Sequence, residues 1–188
     1  MFRSRKTDDA SSPIAFVASA HILAENLIRE SGLKYTILKH ALYADILPMS
    51  MGDQVLNNGV IFLPAGNGRG AYTSRSDMAS AGVAVLTGEG HENKTYEIAV
   101  SESLSFYDIA AIMTELSGKQ VNYAAPDADT FKSVLTQAGV PPEGIMFPLS
   151  FCIAIAQGEF DFPGDTLEKL IGRKPVGMKE FLKSAYKL

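Results

Sequence analysis

The 188-residue chain holds one cysteine, Cys152, and three histidines, His21, His40 and His91. A single cysteine excludes an internal disulfide and a multi-cysteine metal site. Cys152 lies in the apolar run "FPLSFCIAIA", where a buried, inert thiol is expected. The histidines form no HxH or HExxH spacing, so no zinc site is expected. There is no basic excess: the net charge is −4, and "RSRK" is the only basic cluster. Without a basic face to neutralise phosphates, nucleic acid is excluded as the main partner. No apolar run reaches the ~20 residues of a membrane span, and "MFRSRKTDDASS" has no signal-peptide h-region. A cytoplasmic protein with no membrane contact is expected. Ser150 and Ser184 sit in no G-x-S-x-G elbow, so a hydrolase triad has no support. The chain has no internal repeat.

What is present is the balance of a soluble globular protein, 46% hydrophobic and 20% charged. "SSPIAF" reads as a helix start with Ser12 as N-cap, and the helix runs to about Ser31 before Gly32. "KYTILK" is a buried strand. A short helix is expected through "SMGDQVLNNG", then two short strands around the Gly-rich turn of "GVIFLPAGNGRGAYTS". "RSDMASAGVAVLTGEG" is a helix capped by Ser76 or Asp77, and "KTYEIAV" is a strand. Ser105 caps the helix of "SLSFYDIAAIMTELSGK", and "VNYAA" is a short strand. From there to the end the pattern is helical. The fold class is therefore α/β, with a sheet region over residues 1–125 and a mostly helical region over 126–188.

Three stretches invite chemistry. Ile14, Val17, His21, Ala24 and Ile28 fall on one helical stripe, with His21 four residues from Glu25. His21 is then either a core ring with satisfied nitrogens or an acid/base group whose pKa Glu25 raises. "PAGNGRGA" has the spacing G-x-G-x-G and no following Lys-Ser/Thr, so a hairpin or loop is favoured over a phosphate cradle. Asp77 reads as a helix cap. Arg75, two residues before it, is an arginine placed to reach an anionic group.

The order of these stretches carries a family resemblance. A helix with H-x-x-x-E, then "SGLKYTIL", a tyrosine-bearing loop, "GNGRG" and "RSDMASA" resembles the NmrA-like branch of the atypical short-chain dehydrogenase/reductases. Within the branch it is similar to the type 2 NAD(P)H:quinone oxidoreductase and triphenylmethane-reductase group. The likeness extends to "LIGRKP" and "FLKSAY", so it covers nearly the whole chain. It implies the last parallel strands of a Rossmann-like fold plus a helical substrate cap. It also implies NADP(H) or NAD(H) as cofactor and a quinone-like acceptor. The alternative is a non-catalytic NADP(H)-sensing or protein-interaction module.

By the resemblance, the loop "HALYADI" closes over the nicotinamide end. Tyr43 matches the family tyrosine, and Asp45 stands for a glutamate. His40 and Ile46 replace two asparagines. Cofactor binding is thus assigned to His40, Tyr43 and Asp45, hydride-transfer support to His21 and Tyr43, and substrate binding to Arg75. The family's G-x-x-G-x-x-G pyrophosphate loop is not in the sequence. The expectation is a truncated fold that holds no dinucleotide tightly, is inactive alone, and self-associates through an uncovered sheet edge.

Overall fold

A computed structural model describes Met1 and residues 3–188. Helix α1 (Ala15–Glu30) buries Ala18 and Glu25 and half-buries Val17, His21, Ala24 and Ile28, so the inward stripe is the expected one. The helix ends at Ser31, and Gly32 turns the chain at φ 72°. Its start is not as expected. Ser12 donates its hydroxyl to Glu159 Oε2 at 2.9 Å and accepts only from the Ile14 N–H at 3.3 Å. Ile14 takes the cap position with no side-chain hydrogen bond.

Strand β1 (Thr36–His40) pairs in parallel with β6 (Lys94–Ile98). Along its other edge, the Met1 amine donates to Leu38 O at 2.7 Å, the His40 N–H to Met1 O at 2.7 Å, and the Arg3 N–H to His40 O at 2.9 Å. After Ala41 the chain forms β2 (Leu42–Tyr43), parallel to β5 (Tyr72–Thr73). A 3-10 turn (Ala44–Ile46) and α2 (Leu47–Met51) follow, and Pro48 sits in the first turn of α2, where its missing N–H costs nothing. The single helix expected over residues 50–59 is broken at Gly52, φ 81°, leaving only α3 (Val55–Asn58), which ends at left-handed Gly59.

The expected hairpin does not form. β3 (Val60–Phe62) pairs in parallel with β8 (Asn122–Ala124), while β4 (Arg69–Gly70) pairs antiparallel with β7 (Leu104–Ser105). The Gly-rich stretch is therefore a loop between two different ladders. Helix α4 (Arg75–Thr87) is capped by Ser74, not by Ser76 or Asp77. Helix α5 (Phe106–Ser117) has the expected Ser105 cap, in a full capping box with Asp108, and ends at left-handed Gly118. After β8 the described residues are helical: α6 (Ala128–Gln137), α7 (Pro142–Ala156), α8 (Thr166–Ile171) and α9 (Met178–Tyr186).

Parallel ladders interleaved with helices make the fold α/β, as expected. One buried cluster runs from Ile14 through Leu47, Ile61, Ile109 and Leu149 to Leu182, so the C-terminal helices share a core with the strands. A second cluster joins Met78 and Ala81 of α4, Ile98 of β6 and Leu167 of α8, with Leu38 and Tyr43 packed on it.

Candidate functional site

In open α/β sheets, ligands bind beyond the carboxyl ends of the parallel strands. In two of the three parallel ladders those ends are His40, Tyr43, Thr73 and Ile98. Register places Tyr43 beside Thr73, and the next residue, Ser74, opens α4. Ser74 accepts from the Asp77 N–H at 3.2 Å and donates to Asp77 Oδ2 at 2.9 Å, a closed cap that fixes the helix start. Asp77 is fully buried. Its carboxylate also accepts from the Val176 N–H at 2.8 Å and pairs with Arg173 at 2.8 Å. The segment between α8 and α9 is thereby tied to the first turn of α4.

That first turn carries Arg75. Its N–H donates to Asp45 Oδ2 at 2.8 Å, and its guanidinium lies over the Tyr43 ring, 5.4 Å from the centroid. Three of the residues singled out in the sequence, Tyr43, Asp45 and Arg75, are thus in direct contact. Asp45 has a structural task as well, since it satisfies an orphan helix N–H. Arg75 and Asp45 are exposed and Tyr43 is half-buried, so the group opens to solvent.

Alternation along β1 separates the other two candidates. Lys39 turns toward α1, where it pairs with Glu25 at 2.8 Å. His40 falls on the opposite face, which it shares with Leu38 and so with the Tyr43 side. Burial first, then the Met1 ammonium, pushes the His40 imidazole down to about 4. His40 Nδ1 and Thr73 Oγ1 are buried and find no hydrogen-bond partner among the described residues. Buried polar atoms left this way are rare and mark places where a polar group fits.

Glu25 and the Met1 ammonium act on the His21 ring. Burial first, then the ammonium, holds its pKa below the ordinary value, and Glu25 pulls weakly the other way. The expected upward pull of Glu25 is present, but burial and the Met1 ammonium outweigh it.

The Gly-rich loop seals against the protein. A Cβ on Gly68 would lie 2.2 Å from Ile155 O, and the Gly68 N–H already donates to Ala65 O at 3.0 Å. At Gly68 it packs on the end of α7, while nothing lies within 4 Å of a Cβ at Gly66. Cys152 is buried in α7, and burial pushes its thiol up to about 12. Two clefts lie elsewhere. One of about 180 Å³ has Tyr72, Glu102, Glu168 and Lys174 in its wall; a wider one of about 510 Å³ runs between α5 and residues 120–123. Among the described residues no three His, Cys, Asp or Glu side chains gather into a metal site, and no helix is long and apolar enough to cross a membrane.

Sequence reasoning missed the Ser74 cap, although Ser74-x-x-Asp77 carries the spacing of a capping box. It also missed Thr73 and the buried carboxylate of Glu159, which accepts from Ser4 and Ser12. No local signal marks a partner 147 residues away.

No family model matches the chain. Individual relatives do. The chain is 34% identical over 172 residues to quinone oxidoreductase 2 of Escherichia coli, covering 90% of this chain and 59% of that protein. The crystal structure of Citrobacter sp. triphenylmethane reductase superposes with a TM-score of 0.87 and 32% identity, over 100% of this chain and 64% of that one. An NmrA-like family domain-containing oxidoreductase of Aspergillus flavus is 23% identical over 163 residues, 85% of this chain and 52% of that protein. By these matches the chain is similar to the NmrA-like branch of the atypical short-chain dehydrogenase/reductases. It spans about three fifths of the length of these NmrA-like relatives. The E. coli protein has also been solved in complex with NADPH, and this chain matches that structure with a TM-score of 0.86 at 30% identity.

Proposed function

We propose that this chain forms the nicotinamide-facing and acceptor-facing side of an NAD(P)H-dependent reductase of quinone-like molecules. The observation that carries the reading is the contact group of Tyr43, Asp45 and Arg75 at the carboxyl ends of the parallel strands. The cofactor fits there in part. Exposed Arg75 suits an anionic or carbonyl-bearing group, and His40 Nδ1 and Thr73 Oγ1 are buried atoms in need of partners. The pyrophosphate is not provided for: Gly68 of the Gly-rich loop packs against Ile155, and no G-x-x-G-x-x-G occurs in the 188 residues. Affinity for the whole dinucleotide is therefore weak in this chain alone.

When bound, NAD(P)H supplies the hydride. The chain's residues supply position and electrostatics. Tyr43, in contact with Arg75, donates a hydrogen bond toward the acceptor oxygen that gains charge; His21, on the α1 side of β1, lies apart from this group. Arg75, fixed by Asp45 and Tyr43, orients the anionic side of the ligand.

The second reading is a non-catalytic NADP(H)-sensing module, which binds the nucleotide without turning it over. NADPH consumption with a simple benzoquinone separates the two. Turnover that falls about tenfold in Tyr43→Phe supports the reductase. NADPH binding without turnover on any quinone supports the sensor. No NADPH binding at millimolar concentration contradicts both.

A further inference from the structure

Helix α1 has a second apolar face, directed to solvent. Phe16, Ala20, Leu23 and Leu27 recur at steps of four, three and four residues. They form one stripe about 16 Å long, on the side of the helix away from buried Ala18 and Glu25. Phe16 is 57% exposed, Leu23 60% and Leu27 59%, with Ala20 exposed between them. Helix α7 extends the stripe: the Phe147 ring, 54% exposed, meets the Phe16 ring edge-on at 6.1 Å.

Alternating steps of three and four are the spacing of a helix–helix seam. Monomeric proteins rarely expose a contiguous apolar patch above a few hundred Å². At about 200 Å² for a whole phenylalanine and somewhat less for a leucine, Phe16, Leu23, Leu27 and Phe147 with Ala20 leave about 450 Å² of apolar surface in water. A standard interface takes about 800 Å² from each partner, a little over half of it apolar. The stripe alone supplies that apolar share for one side.

The positions beside the stripe let an identical face approach. Ser19 and Asn26, exposed along its flank, carry no charge. Arg29 is held on Tyr35 and Thr95 of its own chain, at 2.7 and 2.9 Å. Side-chain sizes also match when two copies of α1 run antiparallel about a two-fold axis midway between Ala20 and Leu23. Phe16 then meets the partner's Leu27, and Ala20 the partner's Leu23. We infer that this face is the interface of a homodimer, two copies of the chain packed α1 against α1 with Phe147 flanking the seam. The Tyr43–Arg75 group takes no part in the contact. Alternation along β1 puts it on the face opposite α1, so pairing leaves it open in both copies.

The test is the mass of the full chain in solution, by sedimentation or light scattering over the micromolar range. The expected species is a dimer at twice 20.2 kDa. Leu23→Glu brings two like charges together beside the axis and is expected to weaken the dimer at least about a hundredfold. Leu23 is mostly exposed, so this variant keeps the circular dichroism of the parent. If it does not fold, Leu27→Glu decides by the same criterion. Leu86→Glu, at an 86% exposed position on α4, is the control and leaves the dimer in place. A parent that stays monomeric throughout the range overturns the homodimer and leaves the face to a foreign protein or to further chain. A dimer that survives Leu23→Glu, or that Leu86→Glu dissociates equally, overturns it too and places the contact on another face.

Discussion

Gly68→Ala measures what the Gly-rich loop is for. A Cβ at this position would lie 2.2 Å from Ile155 O, 2.5 Å from Ile155 C and 2.8 Å from Ala156 Cα. Nonbonded carbon atoms settle at about 3.5–4.0 Å, so the loop must lift by roughly 1 Å. All three atoms are backbone in the last turn of α7, and none can swing aside. Overpacking a close-packed interior costs about 1–3 kcal/mol, and a clash with backbone alone belongs at the upper end, about 3 kcal/mol. For a domain of this size each kcal/mol lowers Tm by about 2–4 °C, so a loss of about 6–12 °C is expected. Gly66 is the control. Its φ is 53°, and nothing lies within 4 Å of its Cβ position, so Gly66→Ala carries only the left-handed backbone cost of about 1 kcal/mol. The assay is denaturant unfolding of both variants, read as a change in midpoint at constant slope. A Gly68→Ala protein within about 0.5 kcal/mol of the parent refutes the packing argument. A stable Gly68→Ala protein that loses nucleotide affinity restores the phosphate-cradle reading.

Asp77→Ala removes the acceptor of the Ser74 hydroxyl, the Val176 N–H and the Arg173 guanidinium. With Arg173 half exposed, a cost of about 2–4 kcal/mol is expected in denaturant unfolding. His40 supplies a pH dependence. Its folded pKa of about 4 lies below the unfolded value of about 6.5, so its contribution is complete above pH 6.5 and is lost as pH falls toward 4. Unfolding midpoints measured across that window fall with pH, and His40→Gln flattens the fall. Cys152, its thiol raised to about 12 by burial, stays unmodified by a maleimide at pH 8 in the folded chain and reacts once the chain is unfolded.

The sequence showed most where the determinants are local. Ser105, Asp108 and Gly118 mark both ends of α5 within fourteen residues, and the structure keeps both ends. The inward stripe of α1 was equally readable, because a helical period fixes a face regardless of neighbours. Errors came where a distant partner intervenes. Ser12 has the chemistry of a cap but gives its hydroxyl to Glu159. Asp77 resembles a cap but sits at the third helical position, held by residues 173–176. β3 and β4 look like one hairpin because turn residues separate them, yet each pairs with a strand far along the chain. The site followed the same rule. Tyr43 and Asp45 were chosen from a motif order and Arg75 from its place at a helix start, and the Asp45–Arg75 contact spans thirty residues. Lys39 in a buried strand gave no hint that it neutralises Glu25.

The carboxyl-end group of Tyr43, Asp45 and Arg75 is proposed to face a nicotinamide cofactor, with the pyrophosphate not held by this chain. NADPH titration of the full chain, followed by amide chemical shifts, tests it most directly. The account predicts perturbations centred on residues 40–45 and 73–75, with dissociation in the millimolar range. Micromolar binding, or perturbations confined to residues 64–70 or to the cleft beside α5, contradicts it.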